Sequence, residues 1–250
     1  MTLLSERIGD NDSYLFGILK FSSKEHLESL RKGKLYLNNF QLYRDIEKKQ
    51  KNKGQGDAHD VTLLLNNVDW EFQSGHSNVL YKSNGNVKLE YKEDYLTHVF
   101  CATGITANWL EIIHEDENLV KVKLVFPKEF KQHVLENFGD HVLIIAKNKD
   151  FFDLISAANI SFDARKVTYR DQDRLYRDRL YNFLHQKSER FFEKDNFFSI
   201  QNEFRIVFPD LISTEPEIIE IGNIEKITKL MSVEDLFNKG ELTYKFLKKQ

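Results

Sequence analysis

Glu203 and Arg205 stand two positions apart in an otherwise apolar and aromatic run, EFRIVF (203–208). Side chains alternate across a strand, so Phe204, Ile206 and Phe208 share one face and Glu203, Arg205 and Val207 the other. The aromatic face belongs to a core. The charged face looks into water, into a cleft, or onto a polar partner inside the protein. On a solvated sheet face the two charges form an ion pair of little energetic weight. In a cleft the guanidinium keeps the carboxylate ionised and restricts its rotamers. A carboxylate held that way suits hydrogen bonding to a ligand hydroxyl or stabilising a developing cation.

Other constellations carry less. Cys101 lies in the apolar stretch VFCAT, and His98, three positions earlier, falls on the opposite face of a strand, so a Cys/His hydrolase is not indicated. GDAHD places Asp57, His59 and Asp60 together; they offer donors to a metal, or form a solvated acidic loop, and no second cluster at ligand spacing supports the metal. The stretch DRLYRDRLYNFLHQKSER mixes Arg174, Arg177, Arg179 and Arg190 with Tyr176 and Tyr181. Arginines among tyrosines grip phosphates and stack on bases. The interleaved Asp173 and Asp178 also fit i,i+4 ion pairing along an exposed helix. If nucleic acid is a partner, Arg174, Arg177 and Arg179 are the contact candidates. No glycine-rich phosphate loop is present.

These residues belong to a chain of 250 residues, 41% hydrophobic and 30% charged, with a net charge of -3. That length closes a real core, and the balance of charge does not point to nucleic acid. One cysteine excludes an intrachain disulfide and fits a reducing compartment. The first residues, MTLLSERIGDNDSY, are too polar for a signal peptide, and no apolar run reaches the ~20 residues of a membrane helix. The expectation is a soluble, cytoplasmic protein.

Apolar runs separated by polar turns set the order of strands and helices around these residues. SYLFGILKFS (13–22) is a strand; a helix capped by Ser22 or Ser23 follows and stops at Gly33. LYLNN (35–39) is a strand and FQLYRDIEKKQ a helix, before the polar loop KNKGQGDAHD. VTLLLNN, VDWEFQ, NVLYKS, NVKLEYK and THVFCAT are short strands, with hairpin-like turns at SGHSN and SNGN. ITANWLEII begins a short helix, LVKVKLVFP is a strand, KEFKQHVLENFG a helix, HVLIIA a strand, and KDFFDLISAAN a helix. SFDARKVTYR (161–170) is one strand and 173–194 one long helix. EFRIVF, EIIEIG and ITKLMS are strands, and VEDLFNKG with a basic tail closes the chain. The pattern predicts one α+β domain over 1–250, mainly antiparallel sheet with short helices packed around it.

Six motifs follow one another in order: ILKF with Lys20, RKGKLYLNNFQLYRD (31–45), GQGDAHD, HVFCATGITANW, RKVTY and KDNFFSIQNEFRIVF. Over about residues 14–208 this order resembles a widespread family of bacterial and phage domains without a settled function, and 209–250 reads as an extension. Tyr43-Arg44-Asp45 departs from that family, which has an Asn-Asp-Pro type turn there. The family's layout is similar to that of ADP-ribosyltransferase domains, with their split sheet. The resemblance implies NAD as substrate. It assigns Lys20, the Asn38–Asn39–Phe40 element with Tyr43, and Glu203 to the site. Glu203 would stabilise the sugar cation, Lys20 or Arg205 hold the pyrophosphate, and Tyr43 or Phe40 stack on nicotinamide. It implies a role in bacterium–phage conflict, as a toxin or modifier. The alternative is a non-enzymatic protein on the same scaffold that sequesters a protein or nucleotide.

Overall fold

A computed structural model describes residues 2–9, 14–50, 56–74, 77–171 and 174–245. The expected loop at 51–55, the tip of SGHSN at 75–76, Asp173 and the last five residues of the basic tail lie outside the described residues. From the N-terminus the elements are α1 (Leu4–Ile8), β1 (Gly17–Ser22), α2 (Lys24–Arg31), β2 (Lys34–Asn39), α3 (Phe40–Gln50), β3 (Thr62–Ser74) and β4 (Ser77–Glu90). Then come α4 (Lys92–Leu96), β5 (Thr97–Ile105), β6 (Leu110–Glu115), β7 (Leu119–Leu124), α5 (Lys128–Asn137), β8 (His141–Ile145) and α6 (Asn148–Ala157). The remainder is β9 (Asp163–Lys166), β10 (Thr168–Arg170), α7 (Arg177–Leu184), β11 (Glu193–Asp195), β12 (Glu203–Ile212), β13 (Glu217–Glu220), β14 (Thr228–Ser232), α8 (Val233–Lys239) and β15 (Glu241–Lys245).

The fold is mixed α+β and mainly antiparallel, as the pattern predicts. Its main sheet runs β13-β2-β5-β1-β8-β14, with β12 on β5 and β9 on β12. The region beyond residue 208 is therefore integral: β13 and β14 close the two ends of that order. Alternation puts Ile18, Phe100, Leu143, Phe204, Ile206 and Phe208 on one face, under α2 and α6. Leu19, Phe21, Ile105, Val142 and Ile144 are on the other, under α5 and α8. A third cluster gathers Phe40, Val99, Phe191, Phe192 and Val207. No described helix is long and apolar enough to cross a membrane.

Four sequence expectations are corrected. SNGN is not a turn but lies inside β4, which pairs with β3 as one long ribbon. ITANW forms a single 3-10 turn, Ala107–Trp109, before β6. The 161–170 strand breaks at Val167 into β9, on β12, and β10, parallel to β11. The long helix ends at Leu184; Gln186 takes φ 50, and a 3-10 turn and β11 follow. Burial of Phe191 and Phe192 and the clamp of Arg190 on Asp94, at 2.7 Å through both Nε and Nη2, override the helical spacing there.

Candidate functional site

β5 is the hinge of the site. β12 pairs along Thr97–Thr103. The opposite edge of β5 is shared: β1 pairs with Thr103–Ile105 and β2 with His98–Val99. Between them the two strands part, β1 toward β8 and β2 toward β13. α2 bridges the gap, capped by Ser23, whose hydroxyl accepts from the His26 N–H at 3.4 Å, and stopped by Gly33 at φ 101. A cavity of about 600 Å3 occupies the opening. Lys20 of β1, Asn38 of β2, Tyr43 of α3, Cys101 and Thr103 of β5 and Glu203 of β12 all line it.

Lys20 Nζ donates to the Cys101 carbonyl at 2.6 Å and stands 4.6 Å over the Phe100 ring. Burial lowers its pKa, opposed by Cys101 and Glu203. Tyr43 is half-buried, and burial, then Cys101 and Glu203, push its hydroxyl well above the ordinary range. Burial, then the Glu203 charge, raise the Cys101 thiol to about 12, so it is no thiolate nucleophile.

Glu203 faces the cavity from inside a buried charge cluster. Its Oε1 accepts from Arg205 Nε at 2.7 Å and its Oε2 from Lys194 Nζ at 2.8 Å. Burial alone would raise this carboxyl; the Arg205 and Lys194 charges and hydrogen bonds outweigh it and hold the group well below the usual range. Lys194 also donates to Gln201 Oε1 at 2.9 Å. Tyr169 Oη accepts the Glu203 backbone N–H at 2.7 Å and fixes the start of the strand. Each Glu203 oxygen keeps a lone pair for a ligand.

The structure thus brings Lys20, Asn38, Tyr43 and Glu203 to one cavity and places three other candidates away from it. Asn39 is 1% exposed; its Oδ1 accepts from Leu42 N–H and its Nδ2 donates to the Ser213 carbonyl, which pins the start of α3. Phe40 is fully buried and stacks on Phe191 at 5.6 Å, so it is not available to nicotinamide. Arg205 is 1% exposed and donates to Glu203, to both Asp60 oxygens and to the Phe191 carbonyl, so it is not free to hold a pyrophosphate. Nor is GDAHD a solvated loop: Asp57 and Asp60 are 3% and 4% exposed. Among the described residues no group of three or more His, Cys, Asp or Glu is placed to hold a metal ion. Of the proposed nucleic-acid arginines, Arg179 is buried on Glu193 at 3.0 Å and on the Thr62 carbonyl; Arg174 and Arg177 are exposed. His98 is fully buried, with its ring nitrogens on the Leu211 and Glu215 carbonyls.

Lys194, Gln201 and Asp57 line the cavity without having been singled out for it. Gln201 ends a 3-10 turn, Asn196–Gln201, and Asn202 at φ 42 separates it from β12, so strand alternation does not reveal it. Lys194 was hidden inside a stretch that reads as helix. No protein-family model, curated protein or solved structure matches this chain.

Proposed function

We propose that this chain binds NAD in the sheet split and breaks its nicotinamide–ribose bond, as an ADP-ribosyltransferase acting in bacterium–phage conflict. The observation that carries the reading is Glu203, a carboxylate kept ionised although enclosed, on the wall of a cavity it shares with Lys20, Asn38 and Tyr43. Cavity size lies in the range of small-molecule sites, about 300–1,000 Å3. When the C1′–N bond breaks, its electron pair leaves with nicotinamide and positive charge develops on the sugar. A fixed carboxylate hydrogen-bonded to the ribose hydroxyls stabilises that charge in a water-poor site. Lys20, with two further donor hydrogens on its ammonium, supplies the cation for the pyrophosphate. Tyr43 offers the ring for nicotinamide in place of Phe40. The acceptor's nucleophilic atom then bonds to C1′ and releases its proton to solvent; a protein or nucleic-acid acceptor is consistent with the setting, and the exposed Arg174 and Arg177 are the contacts for the latter.

The test is mass spectrometry of cellular protein and nucleic acid after expression, with Glu203→Gln as control. Added ADP-ribose that falls about 100-fold or more in the variant supports the reading. No ADP-ribose and no loss of NAD with the unaltered chain rejects it. One observation favours a second reading, a binding protein on the same scaffold: both Glu203 oxygens already hold a cation. That reading requires NAD to raise the melting temperature without being consumed.

A further inference from the structure

β2 has one packed face and one open face. Leu35 and Leu37 are fully buried in the core, with Ile219 of β13 opposite Leu35. Alternation turns Lys34, Tyr36 and Asn38 the other way. Tyr36 is 53% exposed, although β2 runs between β13 and β5 and is no edge strand. Its partner across the strand pair, Ile218, is 55% exposed. An aromatic ring and an aliphatic side chain thus stand open side by side, which is an apolar patch rather than one stray residue. Both line the cavity, and so does Lys34. The Lys34 ammonium is exposed and has no hydrogen bond or ion pair among the described residues; Glu220, opposite it in the register, does not close on it. Lys34, Tyr36 and Asn38 mark about 13 Å of strand. Asn38 is at the end where β2 pairs with β5, and Lys34 is at the end where the two strands have parted. A ligand seated at Tyr43 and Glu203 reaches Tyr36 by extending along that track.

We propose that Tyr36, with Ile218 beside it, is the platform on which the adenine of the bound dinucleotide stacks, and that Lys34 pairs with the phosphate on the adenosine side. This deepens the NAD reading above and rests on it. NAD carries two flat bases joined through two phosphates. In the proposed function Tyr43 takes the first base and Lys20 a phosphate; the open face of β2 supplies a second ring and a second cation on the same cavity wall. Stacking on a tyrosine face needs no hydrogen-bond readout of the base, which suits a rim that offers a ring and an aliphatic neighbour. An unpaired ammonium beside it matches the charge of a phosphate.

The experiment titrates the full chain calorimetrically with ADP-ribose, which keeps the adenosine and both phosphates but lacks nicotinamide, and with nicotinamide mononucleotide, which lacks the adenosine. Tyr36→Ala should weaken ADP-ribose about 10- to 100-fold and leave nicotinamide mononucleotide unchanged. Tyr36→Phe keeps the ring and should bind ADP-ribose as the unaltered chain does. Lys34→Ala should weaken ADP-ribose about 2- to 5-fold, a loss that disappears at high salt. Both side chains are exposed, so the variants should melt with the unaltered protein. Unchanged ADP-ribose affinity in Tyr36→Ala overturns the platform and leaves the NAD reading standing. An equal loss for both ligands does the same, since it reveals a general change in the cavity. Self-association that Tyr36→Ala abolishes without touching ADP-ribose affinity assigns the patch to a second copy of the chain instead. An unaltered chain that binds neither ligand and consumes no NAD overturns the NAD reading and this inference together.

Discussion

Arg205 makes its hydrogen bonds at 2.7–2.9 Å to Glu203, Asp60 and the Phe191 carbonyl, with its guanidinium carbon 5.3 Å from the Phe40 ring centroid. It is a keystone behind the cavity wall rather than part of the wall. Arg205→Met leaves two buried carboxylates without their shared cation and is expected to lower the unfolding free energy by about 3–5 kcal/mol, read by urea titration. Glu203→Gln keeps the shape and should unfold within about 2 kcal/mol of the unaltered chain, since Lys194 retains Gln201 and Arg205 retains Asp60. A loss as large as that of Arg205→Met would make Glu203 a structural partner first. Because the folded Glu203 pKa lies below its ordinary 4.5, its contribution to stability is present above pH 4.5 and fades as pH falls through the lowered value. Acid unfolding of Glu203→Gln should accordingly be shallower below pH 4.5. The sequence displays the Glu203/Arg205 face through simple alternation. It does not display Asp60 as the partner, because 145 residues separate it from Arg205 and nothing local records a contact of that range.

At the scale of elements, two close backbone approaches set the shape of the split. Gly33, between α2 and β2, takes φ 101, and a Cβ there would lie 2.4 Å from the Gly222 carbonyl oxygen. Gly139 sits beside the β1–α2 junction, where a Cβ would meet the Ser22 backbone carbon at 2.2 Å. Backbone cannot swing aside as a side chain can. Gly33→Ala should cost more than about 1 kcal/mol through strain and clash together. Gly139→Ala should displace Ser22 and Ser23, which line the cavity, and so lower stability and reduce the rise in melting temperature with NAD that the proposed function predicts. A Gly139→Ala protein with an unchanged NAD response would show that the junction does not shape the site. β1, β7, β8 and β12 are legible because each alternates or runs apolar between clear stops. Residues 185–195 are not, because the segment is decided by what it packs against. Arg190 reaches Asp94 on α4, Phe191 stacks on Phe40 from α3, and Lys194 joins a three-residue strand parallel to β10.

Across the whole molecule, the site depends on the sheet while the β3–β4 ribbon stands apart from it. β3 and β4 pair with each other and with no other described strand. What ties the ribbon down is at its base. Arg44 donates to the Asp60 carbonyl, Thr62 Oγ1 and Glu90 Oε1 at 2.8–3.1 Å and stacks 4.0 Å from the Tyr95 ring centroid, and Arg179 donates to the Thr62 carbonyl. Leu63 is buried there at 1% exposure. Those contacts lie on the body side of the Leu65–Val87 pair. Replacing residues 66–86 by an Asn-Gly turn keeps the antiparallel register at that pair and removes only the outer ribbon. The shortened chain should melt within a few degrees of the full one and respond to NAD as strongly, since the cluster of Asp57, Asp60, Lys194, Glu203 and Arg205 keeps its anchors. If it modifies no target yet still consumes NAD, the outer ribbon is where the acceptor macromolecule docks. If instead it fails to fold, the ribbon packs on the body beyond its base, and the independence of sheet and ribbon argued from the strand pairing is wrong.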